Sequence, residues 1–298
     1  MNGKKVYLIL LVLLVVVALV LYSRNSDASE QEEGQRALPT ATAEEDVRSL
    51  PAATEETKGK HKKKQAENSL LMVKGKSALL LTRVGYITGY SQEWKCPQWT
   101  AWHLTADHTT GPYKRKGVSF HEDGEVPYPK ALNSDYYSSG YDRGHMCPSG
   151  DNKWDRQAQE DCFLFTNMCP QAHNLNSGDW NDLEIKCRTW AKRYGDIYIV
   201  CGPVFHGDRP KRTIGKNKVW VPDGFYKVVL RVRSRGSGDG ETAAIGFYYD
   251  NDDGHQPMSA YVRSVDEIER MTGLDFFSAL DDKTENRVEA HAEWDEWR

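Results

Sequence analysis

Several features that would narrow the function are missing from this sequence. No two of its six cysteines are spaced as Cys-x-x-Cys, which makes a structural zinc site the weaker interpretation. The formal net charge of −4 is too close to neutral to indicate a nucleic-acid-binding protein, although a local basic groove can lie on a weakly acidic surface. The charge therefore neither supports nor excludes a polyanionic substrate. The chain also has no internal repeat.

Long hydrophobic runs are scarce, and the longest lies at the N-terminus. Lys4 and Lys5 precede an uncharged run over residues 6–22, whose length falls between a signal-peptide core and a full membrane span. Lysines before such a run favour translocation of the rest of the chain. A weak Ser-Asp-Ala cleavage pattern at 26–28 leaves a removable signal peptide open beside an uncleaved anchor. We therefore predict a transmembrane anchor or signal peptide at residues 1–22. The folded domain would then be extracytoplasmic, either membrane-anchored or, after cleavage, secreted or periplasmic.

The predicted compartment affects how the six cysteines are interpreted. An oxidising compartment would let an even number of them pair as up to three disulfides, with the connectivity open. The cysteines are Cys96, Cys147, Cys162, Cys169, Cys187 and Cys201.

Residues 23–76 are polar and charged, with an acid-rich part followed by "KGKHKKK" at 58–64. Such a segment buries too little apolar surface to offset the entropy of ordering it, so we predict a disordered charged linker. The lysine run is either a solvated stretch or a contact for an acidic polymer. The folded domain is predicted to span residues 77–298.

Within that domain, apolar and β-branched segments predict strands and two amphipathic segments predict helices. "DIYIVCGPVF", "GFYKVVLRVR" and "TAAIGFYYD" have the composition of strands. "GDWNDLEIKCRTWAKRYG" has helical spacing, with Ser177 or Asp179 as a cap and Gly195 as a stop. Ser264 and Glu267 form a capping box before a second helix. Strands and helices mix without regular alternation, which indicates an α+β fold.

Candidate chemistry is concentrated in "DRGH", residues 142–145. His145 can take a proton from water near neutral pH, and Arg143 can bind an anion with two hydrogen bonds. Gly144 between them permits either a close backbone approach or an unusual φ, so that both side chains could contact one small ligand. An isolated Asp-Arg-Gly-His is more often a salt-bridged turn than a catalytic site. The motif therefore needs a second signal.

That signal is "FTNMCPQAHNLNSGDWNDLEIKCR", residues 165–188. Its asparagines lie in a loop before the predicted helix, where amides commonly serve turns and caps, but an amide oxygen is also a suitable Mg²⁺ ligand. Glu184 and Arg188 are four residues apart and so share a helix face. They form either an ordinary ion pair or a support for a metal and a phosphate.

Together, "DRGH" and "TNMCPQAHNLNSGDWNDLE" resemble the active-site signature of the DNA/RNA non-specific endonucleases. This family, the ββα-metal or His-Me finger nucleases, includes endonuclease G. The resemblance runs from about Leu79 to the C-terminus. It implies a central mixed or antiparallel β-sheet flanked by helices, with a ββα-metal site.

The resemblance also implies roles for seven residues. His145 corresponds to the general base and Asn176 to the single protein ligand of the metal. Glu184 corresponds to an acid that orients metal-bound water. Arginines near the scissile phosphate and the outer shell correspond to Arg143 and Arg188, and a supporting asparagine corresponds to Asn167. A further arginine falls less securely at Arg115, between Lys114 and Lys116.

The implied activity is hydrolysis of DNA and RNA without strong sequence preference, leaving 5′-phosphate and 3′-hydroxyl ends. The implied cofactor is Mg²⁺, for which Mn²⁺ or another divalent cation can substitute. Expected partners are DNA and RNA, the membrane if residues 1–22 are uncleaved, and a second copy of the chain, since parts of the family dimerise. Two alternatives stay open: a phosphodiesterase of the same fold that acts on small nucleotides, and a non-catalytic nucleic-acid-binding module.

Overall fold

The computed structural model describes residues 69–75, 78–232 and 241–298. All of them belong to one unit, formed by residues 53–298. The predicted anchor at 1–22 and most of the predicted linker lie outside the described residues. Residues 69–75, from the end of that linker, pack against the domain. Leu71 is buried, and Lys74 forms an ion pair with Asp275 at 3.5 Å.

A seven-stranded antiparallel sheet forms the centre of the fold, in the order β1-β2-β3-β6-β9-β10-β11. Its strands are β1 (Leu79–Thr82), β2 (Ile87–Ser91), β3 (Cys96–Leu104), β6 (Ile197–Val204), β9 (Gly224–Arg231), β10 (Ala243–Asp250) and β11 (Val262–Arg263). Two small ribbons pair β4 (Asp142–His145) with β5 (Met168–Gln171) and β7 (Thr213–Ile214) with β8 (Val219–Trp220). The helices are α1 (Arg156–Asp161), α2 (His173–Ser177), α3 (Asp179–Tyr194), α4 (Val265–Thr272) and α5 (Asp282–Glu289). The predicted α+β class with an antiparallel sheet is confirmed.

The two faces of the sheet are both buried, which explains why its central strands are almost continuously apolar. Along β9, Phe225 and Val229 pack in one cluster with Trp180, Leu183 and other residues of α3. Tyr226, Val228 and Leu230 point the other way, into a second cluster that includes residues of α4 and α5. Strand alternation thus separates an α3 side from an α4–α5 side.

Local signals in the sequence position the helices. Ser264 Oγ accepts a hydrogen bond from the Glu267 amide at 3.1 Å, and Glu267 Oε2 accepts from the Ser264 amide at 2.8 Å, so the predicted capping box is present. Gly195, at φ +86°, ends α3 as predicted. The predicted side-chain cap of α3 is wrong. Gly178 is the N-cap, and the Asp179 carboxylate instead accepts hydrogen bonds from Tyr261 and the His255 imidazole.

All six cysteines are among the described residues, and each is a buried free thiol. The disulfides expected for an oxidising compartment are therefore not formed. The thiols pack as small apolar groups, a common use of buried cysteine. Two of the thiols also take part in hydrogen bonds, since Cys147 and Cys162 both accept from Asn152 Nδ2 at 3.2 Å.

Candidate active site

The end of β4, the segment 148–150 that follows it, α2, α3 and Arg115 line an open cavity of about 440 Å³. "DRGH" forms strand β4 rather than the turn that is common for such a motif. Five residues predicted from the sequence line this cavity: Arg115, His145, Asn176, Glu184 and Arg188. The chain therefore brings together residues that are up to 73 positions apart in the sequence.

His145 ends β4 and is 8% exposed, with its imidazole packed against Phe163 and Phe120 at ring distances of 5.1 and 5.6 Å. Its Nε2 is buried and has no hydrogen-bond partner among the described residues. Burial, and to a lesser degree the positive charge of Arg115, lower the pKa of His145 to about 3. The imidazole is therefore neutral near pH 7. The Trp180 indole donates to the His145 carbonyl at 3.3 Å and so fastens β4 to α3.

Gly144 is required by the way β4 meets β5. A Cβ at this position would lie 2.3 Å from Gln171 Oε1 and 2.7 Å from the Gln171 Cβ, well inside van der Waals contact. The glycine thus serves a close approach, one of the two possibilities considered from the sequence, and its φ is not positive. This packing sets the position of the neighbouring His145.

Asn176 is oriented by the acid that opens the motif. Its Nδ2 donates to Asp142 Oδ2 at 2.9 Å, and the same oxygen lies 2.8 Å from His173 Nδ1. Because the amide nitrogen is occupied in this way, Oδ1 is the side-chain atom of Asn176 left to act as a ligand at the cavity. Asp142 therefore supports the candidate metal ligand.

Glu184 and Arg188 lie one turn apart on α3, with the Glu184 carboxylate 4.0 Å from the guanidinium. Arg188 also donates to the buried Asp151 at 3.0 Å, and Asp151 accepts from Trp102 at 3.0 Å. Burial raises the pKa of Glu184 to about 7, although nearby cations oppose this shift. Glu184 thus changes its charge within the physiological pH range.

Two predicted site residues lie outside the cavity lining. Arg143 donates to Asn133 Oδ1 at 2.8 Å and to the Asn133 carbonyl at 3.2 Å. Asn167 is fully buried, bonding the Cys147 amide at 2.9 Å and the carbonyls of Cys147 and Cys162 at 2.8 and 2.9 Å. All the polar groups of the Asn167 side chain are therefore used to hold the segment that follows His145.

Sequence reasoning missed Lys227, in the middle of β9. It is 0% exposed, and its ammonium lies 4.1 Å from the ring centroid of Trp180, without a hydrogen-bond partner among the described residues. Burial raises the pKa values of Glu184 and Asp151, and the positive charge of Lys227 opposes that rise in both. Full burial of a lysine is rare, so a lysine inside the apolar run "GFYKVVLRV" was the available signal.

The fold and the site together define a nuclease domain of the metal-dependent ββα type. A two-stranded ribbon supplies the histidine, and the following helices supply an amide oxygen, an acid and an arginine at one cavity. The chain belongs to the DNA/RNA non-specific endonuclease family, whose model matches residues 66–283. Members of this family depend on a divalent metal.

Proteins similar to this chain include several nucleases. The mitochondrial nuclease EXOG of Xenopus laevis is 37% identical over 211 residues, which make up 66% of this chain and 58% of that protein. The mitochondrial endonuclease G of Bos taurus is 31% identical over 210 residues, 67% of this chain and 69% of that protein. A solved structure of the EndoG/EndoGI complex superposes with a TM-score of 0.65 at 28% identity, covering 74% of this chain and 93% of the other. The chain thus spans less than two thirds of the EXOG relative's length.

The predicted membrane-anchored or secreted location is wrong. The EXOG and endonuclease G relatives are mitochondrial nucleases, which does not agree with an extracytoplasmic enzyme. Across residues 69–75, 78–232 and 241–298, no helix is long and apolar enough to cross a bilayer. The prediction had rested on the apolar run at 6–22 and on the lysines before it. The six cysteines, which an oxidising compartment would have let pair, are free thiols.

Proposed function

We propose that this protein hydrolyses phosphodiester bonds of DNA and RNA without strong sequence preference, leaving 5′-phosphate and 3′-hydroxyl ends. One observation carries the proposal. The neutral imidazole of His145 lies at the same cavity as the Asn176 amide, the Glu184 carboxylate and the two arginines Arg115 and Arg188. A base, a metal ligand and phosphate-binding cations are the groups that this reaction needs.

The residues at the cavity fit a divalent cation. The Asn176 Oδ1 would hold it, because Asp142 occupies the amide nitrogen, and a cavity of about 440 Å³ leaves room for waters in the shell. A single oxygen ligand suits Mg²⁺, which keeps several waters, and Mn²⁺ can substitute. When bound, the cation would polarise the phosphate and offset the charge that develops on the leaving 3′-oxygen.

His145 acts as the general base. Its neutral imidazole takes a proton from the attacking water, whose oxygen forms the new bond to phosphorus while the bond to the 3′-oxygen breaks. The 3′-oxygen takes up a proton from solvent water to become the 3′-hydroxyl. The low pKa of His145 keeps the imidazole available at neutral pH, and the Trp180 hydrogen bond keeps β4 in place during the reaction.

The other residues position water and phosphate. Glu184 orients water when it is ionised, and Arg188, preset by Asp151, faces the same cavity. Arg115 is exposed at the rim, where it is available to a substrate phosphate. Arg143 and Asn167 act from outside the cavity by supporting the β4–β5 ribbon.

The test uses the purified full-length protein and His145→Ala, with supercoiled plasmid, single-stranded RNA and a dinucleotide, in Mg²⁺ or EDTA. We expect the parent to cut both polymers only with metal, and the variant to be slower by about 10²- to 10⁴-fold. His121→Ala, which changes an exposed histidine outside the cavity lining, is the matched control and should keep full activity.

Hydrolysis of the dinucleotide with both polymers intact would indicate a phosphodiesterase for small nucleotides instead. Binding of polymers without cleavage would indicate a non-catalytic module. The second copy of the chain as a partner stays a prediction, which sedimentation of the same protein samples would test.

A further inference from the structure

A second group of acidic side chains lies on the α4–α5 side of the sheet, away from the cavity. Asp266 and Glu269 are on α4, and Glu289 is the last residue of α5. One carboxylate oxygen from each lies within 4.8 Å of the other two. The helices that carry them pack in the second hydrophobic cluster, on the opposite face of the sheet from α3.

Glu289 distinguishes this group from an ordinary acidic surface. It is only 4% exposed, and its Oε1 is buried without a hydrogen-bond partner among the described residues. Most buried polar atoms do have such a partner, because leaving one unpaired is costly. Glu269 is half satisfied, since its Oε1 accepts from the Phe276 amide at 2.8 Å. A carboxylate with a buried, unpaired oxygen therefore lies beside two further carboxylates.

The surroundings add negative charge rather than removing it. Burial, and then the charges of Glu269, Glu285, Asp266 and Asp275, raise the pKa of Glu289 to about 9. Lys74 pairs with Asp275 at 3.5 Å, with both side chains largely exposed. Carboxylates brought this close need protons or a cation to offset their repulsion.

We propose that Asp266, Glu269 and Glu289 bind one hard divalent cation that joins α4 to α5. All the ligands are oxygens, and three carboxylates can supply up to six oxygen atoms. Ca²⁺ takes six to eight oxygen ligands in flexible geometry, whereas Mg²⁺ keeps several waters and uses one or two carboxylates. A group of three carboxylates therefore suits Ca²⁺ better than Mg²⁺. The site is structural, since it lies across the sheet from His145.

The experiment measures Ca²⁺ binding by calorimetry, and thermal unfolding with and without Ca²⁺, on the full-length protein. Asn176→Ala removes the candidate ligand of the catalytic cation, and Glu289→Gln removes the buried ligand of the proposed site. We expect Asn176→Ala still to bind one Ca²⁺ and to unfold about 5 to 10 °C higher when Ca²⁺ is at 100 times its Kd. Glu289→Gln, made in the same Asn176→Ala background as every comparison here, should lose both the binding and the shift.

Asp282→Asn is the matched control, because it removes one exposed acid from the same helix, outside the group. It should keep the binding and the shift. Equal loss of Ca²⁺ binding in Asp282→Asn and Glu289→Gln would show that Ca²⁺ binding depends on general surface charge and not on this group of ligands. In another outcome, the unfolding temperature of Asn176→Ala does not change with Ca²⁺ but rises as the pH falls from 8 to 6. That result would show that the carboxylates share protons instead of binding a cation. Either result overturns the proposal, and neither depends on nuclease activity.

Discussion

Single residues decide the chemistry of the cavity through burial. His145 stays neutral because its imidazole is buried next to Arg115, whereas burial holds the proton on Glu184 up to about pH 7. Two neighbouring groups thus have their pKa values moved in opposite directions by the same cause, since burial disfavours whichever form is charged. An ionised acid and a neutral base coexist above about pH 7.

The close approach at Gly144 gives the first prediction. Gly144→Ala should destabilise the protein by about 1 to 3 kcal/mol, because the new methyl group would overlap Gln171 and push β4 from β5. Activity should fall with it, since His145 is the next residue. Urea unfolding and plasmid cleavage measure the two effects. Gly124→Ala, where a Cβ has nothing within 4 Å and φ is not positive, should change neither.

Lys227 gives a second prediction at this scale. Lys227→Met removes the positive charge that lowers the pKa of Glu184, so the pH at which activity rises should move above about 7. An upward shift of one unit lowers the ionised fraction of Glu184 at pH 7 from about one half to about one tenth, and so lowers kcat/KM at pH 7 about fivefold. The measurement is the pH profile of kcat/KM with plasmid. Lys192→Met, at an exposed position on α3, is the control and should leave the pH profile unchanged. An unchanged pH profile in Lys227→Met would show that Lys227 does not influence the ionisation of Glu184.

At the residue scale, sequence pattern predicted the groups that carry out the chemistry better than those that support them. Five of the seven predicted residues line one cavity. Four of them lie in β4, α2 and α3, where the two sequence segments fix their spacing, and Arg115 comes from the segment before β4. Lys227 and Asp151 were not predicted, since their importance comes from burial beside Glu184 and Arg188, and burial depends on elements far apart in the chain.

At the scale of elements, the short β4–β5 ribbon holds His145 at the cavity. Four residue pairs join its strands, and a ribbon of this size is marginal without support. That support comes from Trp180 on α3 and from Asn167, whose side chain bonds the backbone of Cys147 after β4 and of Cys162 after α1.

Asn167→Ala should therefore act mainly on stability. Loss of its three hydrogen bonds leaves buried backbone groups unpaired, and we expect a loss of about 3 kcal/mol or more. Chemical denaturation in EDTA would measure it. Asn176→Ala is the contrasting variant, which should lose activity while its unfolding free energy drops by only about 1 kcal/mol, the value of one hydrogen bond. Equal destabilisation by the two changes would contradict this division of roles.

The elements themselves were predictable where local signals agreed. The predicted "DIYIVCGPVF", "GFYKVVLRVR" and "TAAIGFYYD" strands are β6, β9 and β10 within one or two residues, and the capping box of α4 is formed. The start of α3 was not predicted. Ser177 belongs to the short α2, and Asp179 is drawn into tertiary hydrogen bonds with His255 and Tyr261.

At the scale of the whole molecule, the sheet separates two groups of buried charge. One contains the buried Lys227 and Asp151 with the partly buried Glu184 on the α3 side, and the other contains the buried Glu289 with the partly buried Glu269 on the α4–α5 side; all five are ionisable side chains. The strand order that produces this separation could not be read from the sequence, because pairing of β3 with β6 joins segments about 100 residues apart.

The acidic group predicts how stability depends on pH. Glu289 has a pKa of about 9 in the folded protein and an ordinary value of 4.5, so the folded state binds its proton more tightly. Its contribution is fully present below pH 4.5 and is lost as the pH rises to about 9, by at most about 1.4 kcal/mol per pH unit. In EDTA, unfolding temperatures of the parent should fall relative to Glu289→Gln between pH 5 and 9. Parallel curves would contradict the shift.

The alternation along β9 has a consequence for how the chain tolerates change. Phe225, Lys227 and Val229 face α3, whereas Tyr226, Val228 and Leu230 face the side of α4 and α5. In a library that varies each position of this strand, selection for DNA cleavage should penalise the odd-numbered codons most. Selection for protein that survives a heat step in Ca²⁺ should instead deplete substitutions at the even-numbered codons. The two selections would therefore deplete substitutions at alternate positions of the same strand.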